Sequence, residues 1–146
     1  MPARIKARAV IWVDDKIAVH KMSLRGAVHI TLPGGRVNER ESVVDALRRE
    51  VLEELGIEIN VGDLMFAAEV FSSTPMQDIE LVFAAEPTTP TFRTPLELVD
   101  PRDPEFPVLP PVLDYIAAWR DGTLKYQWLG NIFNGQLSQL SAVVEK

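Results

Sequence analysis

The stretch Gly35–Ile57, GRVNERESVVDALRREVLEELGI, decides the fold of this chain. Its apolar residues recur with helical spacing over Ser42–Leu55, and Gly56 is a residue type that ends helices in a left-handed cap. Three acids crowd the last turns of this predicted helix: Glu50, Glu53 and Glu54. The backbone dipole is negative at that end, so helix stability alone would favour Lys or Arg there. The acids therefore need another explanation.

The arrangement of these acids costs free energy, since like charges three and four residues apart repel by about 0.2–0.5 kcal/mol per pair. One interpretation is a solvated acidic face that Arg48 and Arg49 neutralise. The other is a site for a hard cation, because carboxylate oxygens are the ligands that Mg²⁺ and Mn²⁺ prefer. Gly34-Gly35 ahead of the helix favours a site, since glycine lets the backbone approach a ligand. Glu41, at the predicted helix start, is either a simple cap or part of that site.

Composition narrows the function. The 146 residues fit one domain, and no apolar run is long enough to cross a bilayer. Cysteine is absent, which excludes disulfides, zinc–thiolate sites and a catalytic thiol. We expect a cytoplasmic protein without a membrane partner. A net charge of −6 disfavours long nucleic acid, but a small phosphorylated substrate remains compatible if metal ions offset the charge.

The rest of the chain predicts an α+β protein, because strands and helices occur without regular alternation. We expect strands at "RIKARAVIWV", "KIAVHKM", "HITLPGG", "IEINV", "DLMFAAEVFSS", "DIELVFAAE" and "TLKYQWLGNIF", with a loop at "SLRGAV". Residues 86–111 are rich in proline and predict a long functional loop or a mobile arm. "PPVLDYIAAWRDG" predicts a second helix, with proline at its start and glycine after its end.

The spacing of the defining residues resembles the Nudix box. From Gly35 the chain has five residues before Glu41, then seven residues before the run REVLEELGI at 49–57. The resemblance implies an α/β/α sandwich with a mixed β-sheet and covers the chain to about Trp119. From the chain length we expect a single Nudix hydrolase domain over residues 1–146. The segment 122–146 lies outside the resemblance, and we interpret it as a strand plus a packing or dimer extension.

The resemblance also implies a function: hydrolysis of a nucleoside diphosphate linked to another moiety, with Mg²⁺ or Mn²⁺ as cofactor. It implies that Glu50, Glu53, Glu54 and the Gly35 backbone bind metal, and that Arg49 orients the glutamates. The general base is then Glu50 or a loop carboxylate; Glu97 is the first candidate for the latter and Glu105 the second. Many members have glycine where this chain has Arg40, which strains the turn, reaches a substrate phosphate or is simply an exposed loop arginine.

Two other classes of protein stay open from the sequence. A catalytically inactive Nudix-fold module that senses a nucleotide would bind without turnover, and an acidic metal buffer would bind the ion with no nucleotide effect. The apolar residues of "KYQWLGNIF" leave a homodimer as an alternative to a monomer. The substrate, whether a nucleoside triphosphate, nucleotide sugar, ADP-ribose or dinucleoside polyphosphate, does not follow from the box.

Overall fold

A computed structural model describes residues 3–24, 26–71, 76–89, 96–105, 108 and 110–133. The first strands are β1 (Arg4–Val13), β2 (Lys16–Ala18), β3 (His20–Leu24), β4 (Ala27–Thr31) and β5 (Gly34–Arg36). Helix α1 (Val43–Leu55) follows, then β6 (Ile59–Phe71), β7 (Gln77–Pro87) and β8 (Leu98–Val99). Helix α2 (Leu113–Arg120) precedes the last of the described strands, β9 (Trp128–Phe133).

The main sheet is mixed. Its order is β8-β2-β1-β7-β6-β9, and β5 pairs with the first half of β1. Strand β1 runs parallel to β7 and antiparallel to β2 and β5, and β6 runs antiparallel to β7 and parallel to β9. Strands β3 and β4 form a separate hairpin. Because β1 pairs with β5 on one side and β7 on the other, it lies at the centre of the sheet.

The two faces of this sheet are covered by different helices. Alternate residues of β1 (Ala7, Ala9 and Ile11) pack with Leu47 and Val51 of α1. On the other face, the core includes Val10, Ile17, Phe66, Val82, Leu113 and Ile116, so α2 covers that side. This arrangement confirms the predicted α+β fold, a mixed sheet between helices. No helix within the described ranges is long and apolar enough to span a bilayer.

Helix α1 begins and ends where the sequence predicts. Ser42 is its N-cap, and the Ser42 hydroxyl accepts a hydrogen bond from the Asp45 backbone N–H at 3.1 Å. Gly56 ends the helix with φ 69°, and its N–H donates to the Leu52 carbonyl. Since Ser42 supplies the cap, the Glu41 carboxylate is left for other contacts.

Three local predictions were wrong. The loop predicted at 23–28 is wrong at both ends, because β3 continues to Leu24 and β4 begins at Ala27. The two strands predicted between residues 57 and 73 form one strand, β6, with irregular register near Leu64. The alternation of Glu80 with Ile79 and Leu81 predicts that its side chain lies on the open face of the strand, but that side chain is 4% exposed. Most of the predicted turn at 74–77 and the chain beyond residue 133 lie outside the described residues.

Candidate active site

Arg49 connects the start of α1 to its acidic end. Its Nε and Nη2 donate to the two oxygens of Glu41, at 2.9 and 3.0 Å. Its Nη1 donates to Glu50 Oε1 at 2.9 Å, and Nη2 also reaches the Arg36 carbonyl at 3.2 Å. The hydrogen bond from Arg49, with one from the Asn38 backbone, lowers the pKa of Glu41 to about 2. These bonds to Glu41 and Glu50 in turn raise the pKa of Arg49 above its usual value. One guanidinium thus fixes the loop, the strand and the helix relative to each other.

The glycine pair before this loop makes two close approaches. A side-chain Cβ at Gly35 would lie 2.6 Å from the Glu50 carboxyl carbon. A Cβ at Gly34 would lie 2.0 Å from the Ala7 carbonyl oxygen, and Gly34 has φ 136°, a conformation that side chains disfavour. Gly34 is therefore required by the fold, whereas Gly35 is required to leave space for the Glu50 carboxylate.

Glu54 lies beside Glu50 at the same turn. The Gly34 N–H donates to Glu54 Oε1 at 3.3 Å. Burial raises the pKa of Glu54 to about 7, and the neighbouring Glu50 adds to this, although the Gly34 N–H and the Arg8 charge act in the opposite direction. Two carboxyl groups in contact, one of them half-buried, form a donor pair that a cation would stabilise in its ionised form.

Glu53 lies farther into solvent than its two neighbours. Its side chain is 59% exposed, and it lies 3.6 Å from Arg49 Nη1. Across the described ranges, no three carboxylate or imidazole groups already stand close enough together to hold a metal ion. The oxygen donors nevertheless suit a hard dication, and Arg49 already bridges Glu50 and Glu53.

A buried ion pair lies behind the glycine turn. Arg8 Nε donates to Glu80 Oε2 at 3.0 Å, and Arg8 Nη1 donates to the carbonyls of Leu32 and Gly34 at 3.2 Å each. Gly34 thus accepts a hydrogen bond from Arg8 through its carbonyl and donates one to Glu54 through its N–H. The sequence alone does not predict this pair, because the two residues are 72 positions apart and the pattern of a strand does not specify which strand lies beside it.

The other predicted site residues, Glu97, Glu105 and Arg40, have no described contact with the α1 carboxylates. The Glu97 side chain is 58% exposed, with Lys21 Nζ at 3.5 Å, and its carbonyl accepts from the Val19 N–H at the β8 edge of the sheet. Among the described contacts of Glu97, none reaches the α1 carboxylates. Glu105 is exposed. Arg40 is exposed and has φ 63°, so it occupies the left-handed conformation in which glycine is favoured.

A comparison with protein-family models decides the identity of this arrangement. The NUDIX domain model matches residues 3–111, about three quarters of the chain. The chain belongs to the Nudix family. Membership makes it a hydrolase of phosphoanhydride bonds, and it confirms the resemblance carried by the box. No curated protein matches the chain.

Solved structures share this Nudix fold. The E. coli ORF135 protein is 26% identical with a TM-score of 0.67, over 84% of this chain and 94% of that one. A UDP-X diphosphatase is 19% identical with a TM-score of 0.71, over 88% of this chain and 67% of that one. An ADP-ribose pyrophosphatase from Streptococcus suis is 18% identical with a TM-score of 0.60, over 90% of this chain and 99% of that one. At 19% and 18% identity, the UDP-X diphosphatase and the ADP-ribose pyrophosphatase are similar to this chain in fold.

Proposed function

We propose that this Nudix hydrolase is a divalent-metal-dependent pyrophosphohydrolase, with Mg²⁺ or Mn²⁺ as cofactor. Its substrate is a nucleoside diphosphate linked to another moiety, cleaved by attack of water on phosphorus. The observation that carries the proposal is the position of the Glu50 carboxylate, which fills the space a Gly35 side chain would need. A carboxylate and a bare stretch of backbone therefore face the same small space, where cation and phosphate oxygens can meet.

The site residues have two roles in this proposal: some would bind the metal, and one orients the metal-binding side chains. Glu50, Glu53, Glu54 and the Gly35 backbone would hold the metal, and Arg49 positions Glu50 through its fork to Glu41. A bound dication would offset phosphate charge, lower the pKa of water and stabilise the leaving phosphate. When the water oxygen bonds to phosphorus, the bond to the bridging oxygen breaks, and two phosphate-bearing products leave.

The water also needs a group that accepts its proton. Glu50 is one candidate, and it lies at the turn already described. Glu97 is the other, and would have to approach from the start of β8, where it now lies near Lys21. Arg40 is exposed on the loop ahead of α1, and we propose that its guanidinium contacts a substrate phosphate.

The structural neighbours support the diphosphate class of substrate. Their names include a UDP-X diphosphatase and an ADP-ribose pyrophosphatase, whose named substrates contain a diphosphate. The runner-up is a nucleotide-sensing module that binds without turnover. The contact between Glu50 and Glu54 favours the enzyme, because a binder without metal gains nothing from two repelling carboxylates.

A panel of nucleotides tests the proposal, with Mg²⁺, Mn²⁺ or a chelator and with both products identified. We expect turnover with either metal, none with the chelator, and a loss of at least 100-fold in Glu53→Gln and Glu54→Gln. Glu58→Gln is the matched control, since Glu58 is exposed and lies just beyond the box. Nucleotide binding without turnover would favour the sensor, and metal binding without any nucleotide effect would favour the buffer.

Three further expectations stay predictions: one domain over residues 1–146, a cytoplasmic location and a homodimer. The surface near β9 bears on the dimer, because Tyr126 and Trp128 are 72% and 54% exposed there. Exposed aromatic residues at a sheet edge favour contact with another chain.

A further inference from the structure

The face of β1 that points away from α1 is basic beside the glycine turn. Arg4, Lys6 and Arg8 alternate with the alanines that pack on α1, so all three side chains lie on the opposite face. Their neighbours on β7 in the same register include Asp78 and Glu80. Arg4 and Lys6 both pair with Asp78, at 2.7 and 3.3 Å, and Arg8 pairs with Glu80.

A fourth cation joins this face from β5. Arg36 is directly opposite Lys6 in the antiparallel β1–β5 pair, and directly opposed residues point to the same side of a sheet. The Arg36 side chain is exposed, and its guanidinium forms no ion pair or hydrogen bond with any described residue. We call the surface formed by Arg4, Lys6, Arg8 and Arg36 the basic face.

The basic face carries more positive than negative charge. Four cations share it with two carboxylates, which leaves two positive charges uncompensated, in a chain with a net charge of −6. Exposed Glu39 on the neighbouring loop reduces this excess without removing it. A local reversal of sign in an acidic protein attracts anions to one place and repels them elsewhere.

The basic face also borders a cavity of suitable size. A space of about 350 Å³ opens at the start of β1, and its lining includes Arg4, Arg36, Asn38, Glu39 and Met76. Ligand sites commonly have volumes of about 300–1,000 Å³. Two of the four cations of the basic face therefore border a space that can hold part of a nucleotide.

The glycine turn links this cavity to the proposed metal site. A side chain at position 35 would point toward Glu50, and the side chain of the next residue, Arg36, points to the opposite face of the strand. The Arg36 carbonyl accepts from Arg49, so the backbone of Arg36 is fixed by the same guanidinium that fixes Glu50. A polyphosphate chain crossing the turn meets no side chain at positions 34 and 35.

We infer that the basic face binds a phosphate additional to the scissile diphosphate, and that the preferred substrates are nucleoside triphosphates. This inference rests on the proposed function and narrows its substrate class. Arg36 provides a cation that has no acidic partner among the described residues, and Arg4 and Lys6, which share one carboxylate between them, provide the remaining positive charge. A nucleoside diphosphate joined to a neutral sugar has no additional anionic group to pair with these cations.

The first arm of the test compares a nucleoside triphosphate with the diphosphate of the same nucleoside, which differ by one phosphate. We expect wild type to prefer the triphosphate in kcat/KM, and Arg36→Gln to lower that preference about tenfold. The control is Lys16→Gln, which removes an exposed cation on β2. Lys16 pairs with Val13, about 20 Å along β1 from Lys6. A wild-type preference for the diphosphate, or an equal loss on both substrates in Arg36→Gln, overturns the inference.

The second arm measures equilibrium binding of inorganic tripolyphosphate by calorimetry, with chelator present and therefore no turnover. We expect about tenfold weaker binding in Arg36→Gln and unchanged binding in Lys16→Gln. Equal affinity in wild type and Arg36→Gln overturns the inference even if the enzyme is active. If wild type hydrolyses no nucleotide, the proposed function fails, while selective loss of tripolyphosphate binding still supports the basic face as an anion site.

Discussion

Arg8 and Glu80 form an ion pair across the two parallel strands β1 and β7, with Nε and Oε2 3.0 Å apart and both side chains largely buried. The same guanidinium donates to the carbonyl of Gly34, whose N–H holds Glu54. A buried charge on one strand is therefore connected through a single glycine residue to a proposed metal ligand on a helix.

Removing the Glu80 charge should affect both stability and chemistry. Breaking a buried pair costs about 3 kcal/mol, and Glu80→Gln also loosens the Arg8 contact to the Gly34 carbonyl. We expect kcat to fall about tenfold and Mn²⁺ affinity to weaken, measured by single-turnover kinetics and by titration. Asp78→Asn is the matched control, since its partners Arg4 and Lys6 have no described contact with Gly34. Equal losses in both variants would contradict a role through the turn.

The pH dependence of folding should identify the Asp78 ion pairs. Burial alone would raise the pKa of Asp78, but the Arg4 hydrogen bond and the Lys6 charge outweigh it and hold that pKa below its ordinary value of 3.8. Stability from a lowered carboxyl pKa is fully present above the unfolded value and is lost as the pH falls through the folded one. We expect urea unfolding to give a wild-type advantage over Asp78→Asn of about 3 kcal/mol above pH 5. This advantage should shrink below pH 4; one that grows there would refute the assignment.

The two glycines of the turn should respond differently to alanine. In Gly34→Ala the new Cβ meets backbone that cannot move, and the positive φ adds strain, so we expect a loss of at least about 3 kcal/mol of unfolding free energy. In Gly35→Ala the Cβ meets the end of the Glu50 side chain, which can rotate away. We expect that variant to fold, with a Tm within a few degrees of wild type and kcat reduced about 100-fold. A well-folded, fully active Gly35→Ala protein would show that Glu50 placement is unimportant.

Arg40→Gly separates the two interpretations of this loop arginine. A non-glycine residue with φ 63° is strained, so glycine should stabilise the fold by about 0.5–1 kcal/mol in urea unfolding. If the guanidinium also contacts substrate, kcat/KM should fall several-fold while stability rises. Unchanged kcat/KM with higher stability would show that Arg40 strains the turn and does not contact the substrate.

The sequence was most informative where the signal is local. The helix predicted over Ser42–Leu55 is observed as Val43–Leu55, and Gly56 takes the predicted left-handed conformation. Both follow from residues within one helical repeat and a cap, so no distant partner is needed. The family pattern then added the fold, because its spacing fixes which strand, turn and helix are adjacent.

The sequence was least informative where strand pairing decides the outcome. Glu80 alternates with Ile79 and Leu81, which indicates two faces but not which of them is covered. Only the parallel register of β1 and β7 places Arg8 where Glu80 can be buried as an ion pair. The inner ends of the β3–β4 hairpin were predicted as a loop for a related reason, since a short polar stretch around one glycine also fits a loop.

The alternation of β1 has a consequence for redesign of this enzyme. Residues at positions 7, 9 and 11 hold the helix that carries the chemistry, while positions 4 and 6 face the other way and touch none of it. A combinatorial library over positions 4, 6 and 36 could therefore vary substrate selectivity while the side chains of the proposed metal site stay unchanged.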